Sequence, residues 1–205
     1  MTTPLIALLL VFLPAASVLL LRRERRRLER ACPPVGGGLH LFNLRNGDIV
    51  QIHGRDWLVE ERWLYKKLGG FQWLKYRLQH CSERCCLSVF EDKEMALSWL
   101  HPADLGELDN PEALHDAVPE HLRWAGRDYQ RTQKGSATLR ADGLDSKPRQ
   151  RVCTFADYEA VGSADGPAAL LSLEWWGSQG DLSGEIEMMV GEPLAPEGLR
   201  VLPRD

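Results

Sequence analysis

From Met1 to Leu21 the chain carries no aspartate, glutamate, lysine, arginine or histidine. That absence excludes an amphipathic surface helix, which needs a polar face. As a helix rising ~1.5 Å per residue, Pro4–Leu21 spans ~27 Å, close to the ~30 Å of bilayer hydrocarbon. The stretch predicts a transmembrane anchor over residues 1–21, kinked at Pro14. The alternative is a cleavable secretory signal, which places positive charge ahead of its apolar core. Here the order is reversed: Arg22, Arg23, Arg25, Arg26, Arg27 and Arg30 come after it. Arginines next to a span stay cytoplasmic. The expected topology has the N-terminus outside a bacterial inner membrane, the arginines at the lipid surface and the remaining chain in the cytoplasm.

Other absences narrow the chemistry. No segment after the anchor sustains a helical period, so a helical domain is excluded. Neither GxGxxG nor GxxxxGK[ST] follows Gly36–Gly38, which removes a phosphate loop. GxSxG, HExxH and CxxC are missing, so no hydrolase, zincin or thioredoxin-type reading stands, and no enzyme is expected. The five cysteines, Cys32, Cys81, Cys85, Cys86 and Cys153, are odd in number and lack a disulfide-framework spacing. Cys81, Cys85 and Cys86 are weak zinc candidates, because one short segment rarely closes a tetrahedral site and adjacent strand residues face opposite ways. Neither metal nor cofactor is expected. Basic surface is scarce too. The net charge of −4 divides into +4 over Arg22–Arg30 and −8 elsewhere. An acidic domain argues against nucleic acid, while a basic collar suits anionic lipid.

What is present reads as β structure. Residues 22–38 form the collar and a Pro/Gly linker, and residues 39–205 are long enough for one well-buried domain. Ile49–Ile52, Trp57–Tyr65, Phe71–His80, Cys85–Glu91 and Met95–Leu100 are short runs bounded by turn residues. In the third of these, Leu74, Tyr76 and Leu78 alternate with Lys75, Arg77 and Gln79, the pattern of a strand with one solvated face. His101–Leu122 interrupts with an acidic, proline-containing loop that holds one helical turn around Pro111–Ala117. Tyr129–Lys134, Ser136–Ala141, Arg151–Phe155, Ala168–Trp176, Leu182–Val190 and Leu199–Leu202 resume the strands. The expected fold is all-β, a barrel or sandwich, after one N-terminal transmembrane helix.

The domain also echoes itself. Gly54-Arg55-Asp56-Trp57 returns as Gly126-Arg127-Asp128-Tyr129, an offset of 72 in the numbering. Tyr76 and Tyr158 stand 82 apart, and Leu87-Ser88-Val89 and Leu171-Ser172-Leu173 stand 84 apart. Two echoed β units with loop insertions predict this order, although a glycine turn followed by a core aromatic is also ordinary hairpin grammar.

Several strings carry a resemblance: Gly47-Asp48-Ile49-Val50, Trp73-Leu74-Lys75-Tyr76-Arg77-Leu78, Leu87-Ser88-Val89, Gly126-Arg127-Asp128-Tyr129, Gly135-Ser136-Ala137, Asp157-Tyr158-Glu159 and Leu173-Glu174-Trp175. Across roughly Leu44–Pro203 the chain resembles the bacterial domain-of-unknown-function family 4178. Cys85-Cys86 departs from it, standing where a Trp-Leu-like pair is expected. The resemblance implies a β-rich module without established catalytic residues, in membrane-stress settings beside phage-shock-protein-A-like partners.

Candidate interaction residues follow from parity. Trp57, Trp63, Trp73 and Trp175 read as core. Trp176 must face away from Trp175, and Trp99 and Trp124 flank the acidic loop with His101, His115 and His121. Exposed aromatics beside a polar rim mark partner sites. Carboxylates such as Asp157, Glu159, Glu174 and the Glu185/Glu187 pair read as solvated strand faces. The functional expectation is a membrane-anchored scaffold holding a protein partner. A barrel binding a small or lipid-like molecule is the alternative, and an enzyme of unknown class comes third.

Overall fold

The computed structural model describes residues 41–67, 70–91, 95–143, 149–162, 169–177 and 182–202, all within one compact unit, Leu41–Asp205. The expected anchor, the arginine collar and the linker lie outside these residues. Among the described residues, no helix is long and apolar enough to cross a membrane.

Eleven strands carry the fold: β1 (Ile49–Ile52), β2 (Arg55–Lys67), β3 (Gln72–His80), β4 (Glu83–Glu91), β5 (Met95–Pro102), β6 (His121–Trp124), β7 (Arg127–Gly143), β8 (Arg149–Ala160), β9 (Leu170–Trp176), β10 (Glu185–Leu194) and β11 (Leu199–Leu202). Every named pairing is antiparallel. The order β2-β3-β4-β5-β10-β9-β8-β7 closes on itself through β7–β2, giving an eight-stranded barrel with β1 and β11 attached at one corner and β6 at another. The all-β expectation holds, and of the two architectures it is the barrel.

Two strands are unusually long because each serves twice. β2 pairs with β1 through Leu58 and with β7 from Glu61 on, with a bulge between Val59 and Glu61. β7 does the same between β6 and β2, bulged between Arg131 and Gln133. An extra residue bends a strand and raises its twist, which turns a flat hairpin into a barrel wall. The two bulges keep the offset of 72 seen in the sequence, and so do the hairpin turns. His53 and Gly54 take φ of 51° and 75°, and Ala125 and Gly126 take 49° and 74°. Successive positive φ values are the tight-hairpin geometry that matches strand twist. Lys66 pairs with Thr138, its own counterpart at that offset. The echo at 72 is therefore structural. The expected offsets of 82 and 84 are not kept in register: Leu78 and Tyr158, opposite the two bulges, stand 80 apart.

Both faces of the wall are covered. Outside β2–β5, Leu74, Tyr76, Leu78, Cys85, Leu87, Val89 and Trp99 pack under β1, β11 and the lead-in Leu41–Leu44. Outside β8–β10, Tyr158, Leu171, Leu173, Trp175 and Met188 pack under Leu105, Leu108, Leu114, Val118 and Leu122. Those covering residues come from the acidic segment, whose helical turn α1 spans Ala113–Asp116. Tyr76 donates to the Leu41 carbonyl at 2.7 Å and Tyr158 to the Pro119 carbonyl at 3.0 Å, so each half pins its cover with an outward tyrosine. The acidic segment, which composition reads as a loop, is tied down on the wall. Trp175 Nε1 donates to Leu114 O at 3.0 Å, and Arg131 donates to the Val118 and Pro119 carbonyls.

Candidate functional site

The opposite parity fills the barrel. An alternating strand whose apolar face is buried outside must send its polar residues inward. On β3 these are Lys75 and Arg77, beside Trp73. The reading of Lys75 as solvent-facing is overturned, since it is only 5% exposed. Glu174, taken as a solvated carboxylate, is 3% exposed on β9. β3 and β9 are diametrically opposite in the ring, so the Lys75–Glu174 ion pair spans the lumen.

A hydrogen-bonded chain runs from this pair towards one mouth. Tyr65 donates to Glu174 Oε2 at 2.9 Å. Lys75 Nζ bonds Glu174 Oε1 and lies 3.5 Å from Ser172 Oγ. Ser172 donates to Asp157 Oδ1 at 2.7 Å, and the Gln133 amide donates to Asp157 Oδ2 at 2.8 Å. Burial alone would lower the Lys75 pKa, but the Glu174 charge, joined by Cys86, Asp157 and the Glu174 hydrogen bond, outweighs it and the amine is held above its ordinary value. Lys75 is thus a fixed ammonium, unsuited to act as a nucleophile. Burial, followed by the Glu174 charge, pushes the Tyr65 phenol well up and keeps it neutral.

Towards the other end, Arg77 binds Glu187 at 3.0 Å and lies 4.7 Å from the centre of the Trp63 ring. Trp176 Nε1 donates to Glu187 at 3.3 Å, and Arg151 lies 4.5 Å from its ring centre. Burial raises the Glu187 pKa, while Arg77 opposes the shift. Lys67 over Phe155 (5.6 Å) and Lys75 over Tyr65 (5.4 Å) complete a barrel whose cations rest on aromatic faces.

The packing leaves a cavity of about 170 Å³ at the Asp157 mouth. Trp73, Phe90 and Phe155 form aromatic wall; Ser88, Ser98 and Ser172 supply hydroxyls; Lys75 and Glu174 lie within, with Asp157, Glu159, Thr132 and Gln133 at the rim. Eight-stranded barrels are just wide enough to be filled by side chains or to hold one small ligand.

The sequence-predicted residues fall elsewhere. Trp176 is 5% exposed inside the barrel, against Trp63. Its expected exposure is corrected, because the face opposite Trp175 is the lumen. Trp99 is equally buried at 5%, packed edge-on against Trp57 in the outer core. Trp124 is half-buried and donates to Asp104 O at 3.1 Å. His101, His115 and His121 are exposed. The His101 ring sits 5.2 Å from Trp99, and partial burial lowers its pKa. His115 contacts the Leu182 carbonyl, and His121 stands opposite Gln130 on the β6 edge. These six do not form one surface. Cys81 is exposed at a turn; Cys85 enters the outer core and Cys86 a separate cluster with Leu100 and Met189. Among the described residues no group of three His, Cys, Asp or Glu side chains is placed to hold a metal.

The lumen residues escaped the sequence reading because a polar parity looks the same whether it faces water or a barrel interior. The available signal was aromatic: Trp73 shares the parity of Lys75, and Trp176 that of Glu174. A search of curated proteins and of solved structures finds no match to this chain. The profile of the family described as a domain of unknown function, DUF4178, matches residues 45–196, from the turn before β1 to just past the end of β10. The chain belongs to that family of uncharacterised domains.

Proposed function

We propose that the barrel is a receptor for a small polar molecule, presented by a chain anchored at a bacterial inner membrane through Pro4–Leu21. The cavity at the Asp157 mouth carries this reading: it pairs apolar walls with convergent polar groups, the composition of a ligand pocket. Binding rather than catalysis fits the charges, since Glu174 is committed to Lys75 and Tyr65 and offers no free base. The experiment is native mass spectrometry of the full-length chain, purified from its own membrane in mild detergent. A non-protein mass that disappears when Ser98→Phe fills the cavity supports the receptor. A chain that stays bare overturns it.

A protein scaffold, with a phage-shock-protein-A-like partner, is the second reading. It is favoured by a row of exposed apolar side chains across three strands: Leu202 on β11, Ile49 on β1 and Leu58 on β2. A stoichiometric protein in the same spectrum, lost on Ile49→Asp, selects this reading.

A further inference from the structure

We infer that the molecule held in the Asp157 cavity is a small protonated amine. This deepens the receptor reading and rests on it.

Three carboxylates line the cavity, Glu174, Asp157 and Glu159, against a single cation, Lys75. Lys75 is neutralised by Glu174 across the lumen. Asp157 and Glu159 make no ion pair at contact distance among the described residues, although the Asp157 charge also acts on Lys75 from further away. The two groups that bind the Asp157 carboxylate, Ser172 Oγ and the Gln133 amide, are neutral and occupy one lone pair on each oxygen. A charged acceptor with hydrogen-bonding capacity to spare therefore stands at the mouth of a cavity whose lining mixes aromatic and aliphatic side chains with hydroxyls.

The remaining walls suit the same guest. Ser88 and Ser98 face one another across β4 and β5, and neither hydroxyl has a hydrogen-bond partner among the described residues. Each can accept an ammonium N–H. Phe90 and Trp73 supply ring surface, while one face of Phe155 is already taken by Lys67. Carboxylate plus aromatic face is the combination that stabilises an organic cation out of water. An anion would meet Asp157 and Glu159 with only the committed Lys75 in compensation. At about 170 Å³ the space admits a small molecule and excludes a polymer. The bulge between Arg131 and Gln133 sits at this opening, where it brings Thr132 and Gln133 to the rim.

Titration calorimetry on the full-length chain in detergent, with primary alkylamines from methyl to hexyl and the length-matched alcohols and carboxylates, tests the assignment. An amine should bind at least tenfold more tightly than its alcohol or carboxylate, and weaken as salt rises. Asp157→Asn should weaken it tenfold or more. Because Asp157 also holds Ser172 and Gln133, exposed Glu159→Gln is the second variant, expected to weaken binding several-fold with an unchanged melting temperature. An alcohol or carboxylate that binds as well as the amine, or amine binding indifferent to both variants, overturns the amine and leaves a receptor for something else. If none of the probes binds and the native spectrum shows a bare chain, the receptor reading itself falls.

Discussion

Lys75 and Glu174 set the energetic character of the interior. Two charges removed from water repay their desolvation only when paired well. Here the two side chains are 6% and 4% exposed, each with its partner across the lumen. Removing one partner strands the other. Lys75→Met or Glu174→Gln should each cost ~3–5 kcal/mol in urea unfolding. The double variant should cost clearly less than the sum of the singles, because neither charge is then left alone. Additive losses would mean that the two side chains do not depend on one another. At this scale the sequence was half legible. The alternation of Leu74, Tyr76 and Leu78 with Lys75 and Arg77 identified the strand. Which side was wet did not follow, since period two records that the faces differ and not what covers them. Glu174 was hidden for the same reason, inside a run of buried residues, Leu171–Trp176.

Among the elements, the acidic segment between β5 and β6 has the most misleading composition. Its prolines and carboxylates suggest an exposed loop, yet Leu108 and Leu114 are 6% and 2% exposed and pack against the barrel wall. The single helical turn was readable from Pro111–Ala117. The docking was not, because its apolar residues follow no period. Leu114→Ala should therefore destabilise the domain by ~2–5 kcal/mol, as a core truncation does, measured by thermal or urea unfolding. A loss under ~0.5 kcal/mol, the range of surface substitutions, would show that the segment is not a structural cover. The same packing changes how a loop-replacement experiment must be read. Exchanging residues 101–122 for a short linker would uncover Trp175 and Leu171 and orphan the Trp175 indole N–H, so a partner lost with it could be lost through misfolding.

For the whole molecule, closure seals the lumen thiols. Burial pushes Cys86 and Cys153 up to about 12, which leaves almost no thiolate near neutrality, whereas Cys81 is exposed. Alkylation at neutral pH, followed by peptide mass mapping, should modify Cys81 in the native chain and reach Cys86 and Cys153 only at urea concentrations that unfold the domain. Labelling of Cys153 well below that transition would show that the wall opens locally. Barrel and sandwich were indistinguishable in the sequence because both need short alternating strands. The β2–β7 contact that decides between them sets Lys66 against Thr138, far apart in the chain, and strand composition carries no record of such a contact.

That β10 sits between β5 and β9 has a consequence for biosynthesis. Chain elongation delivers β2 to β5 and then β7 to β9 as neighbouring hairpins, each able to pair with what has just emerged. The strand that joins these two sheets is the last of the eight barrel strands to leave the ribosome. Until residues 185–194 are free, β5 and β9 are open edges and the charged interior faces solvent, so a nascent or C-terminally clipped chain offers two templates for intermolecular pairing. Closure must wait until β10 has been made, and holding the strands apart from other chains until then is a demand this topology places on the cell.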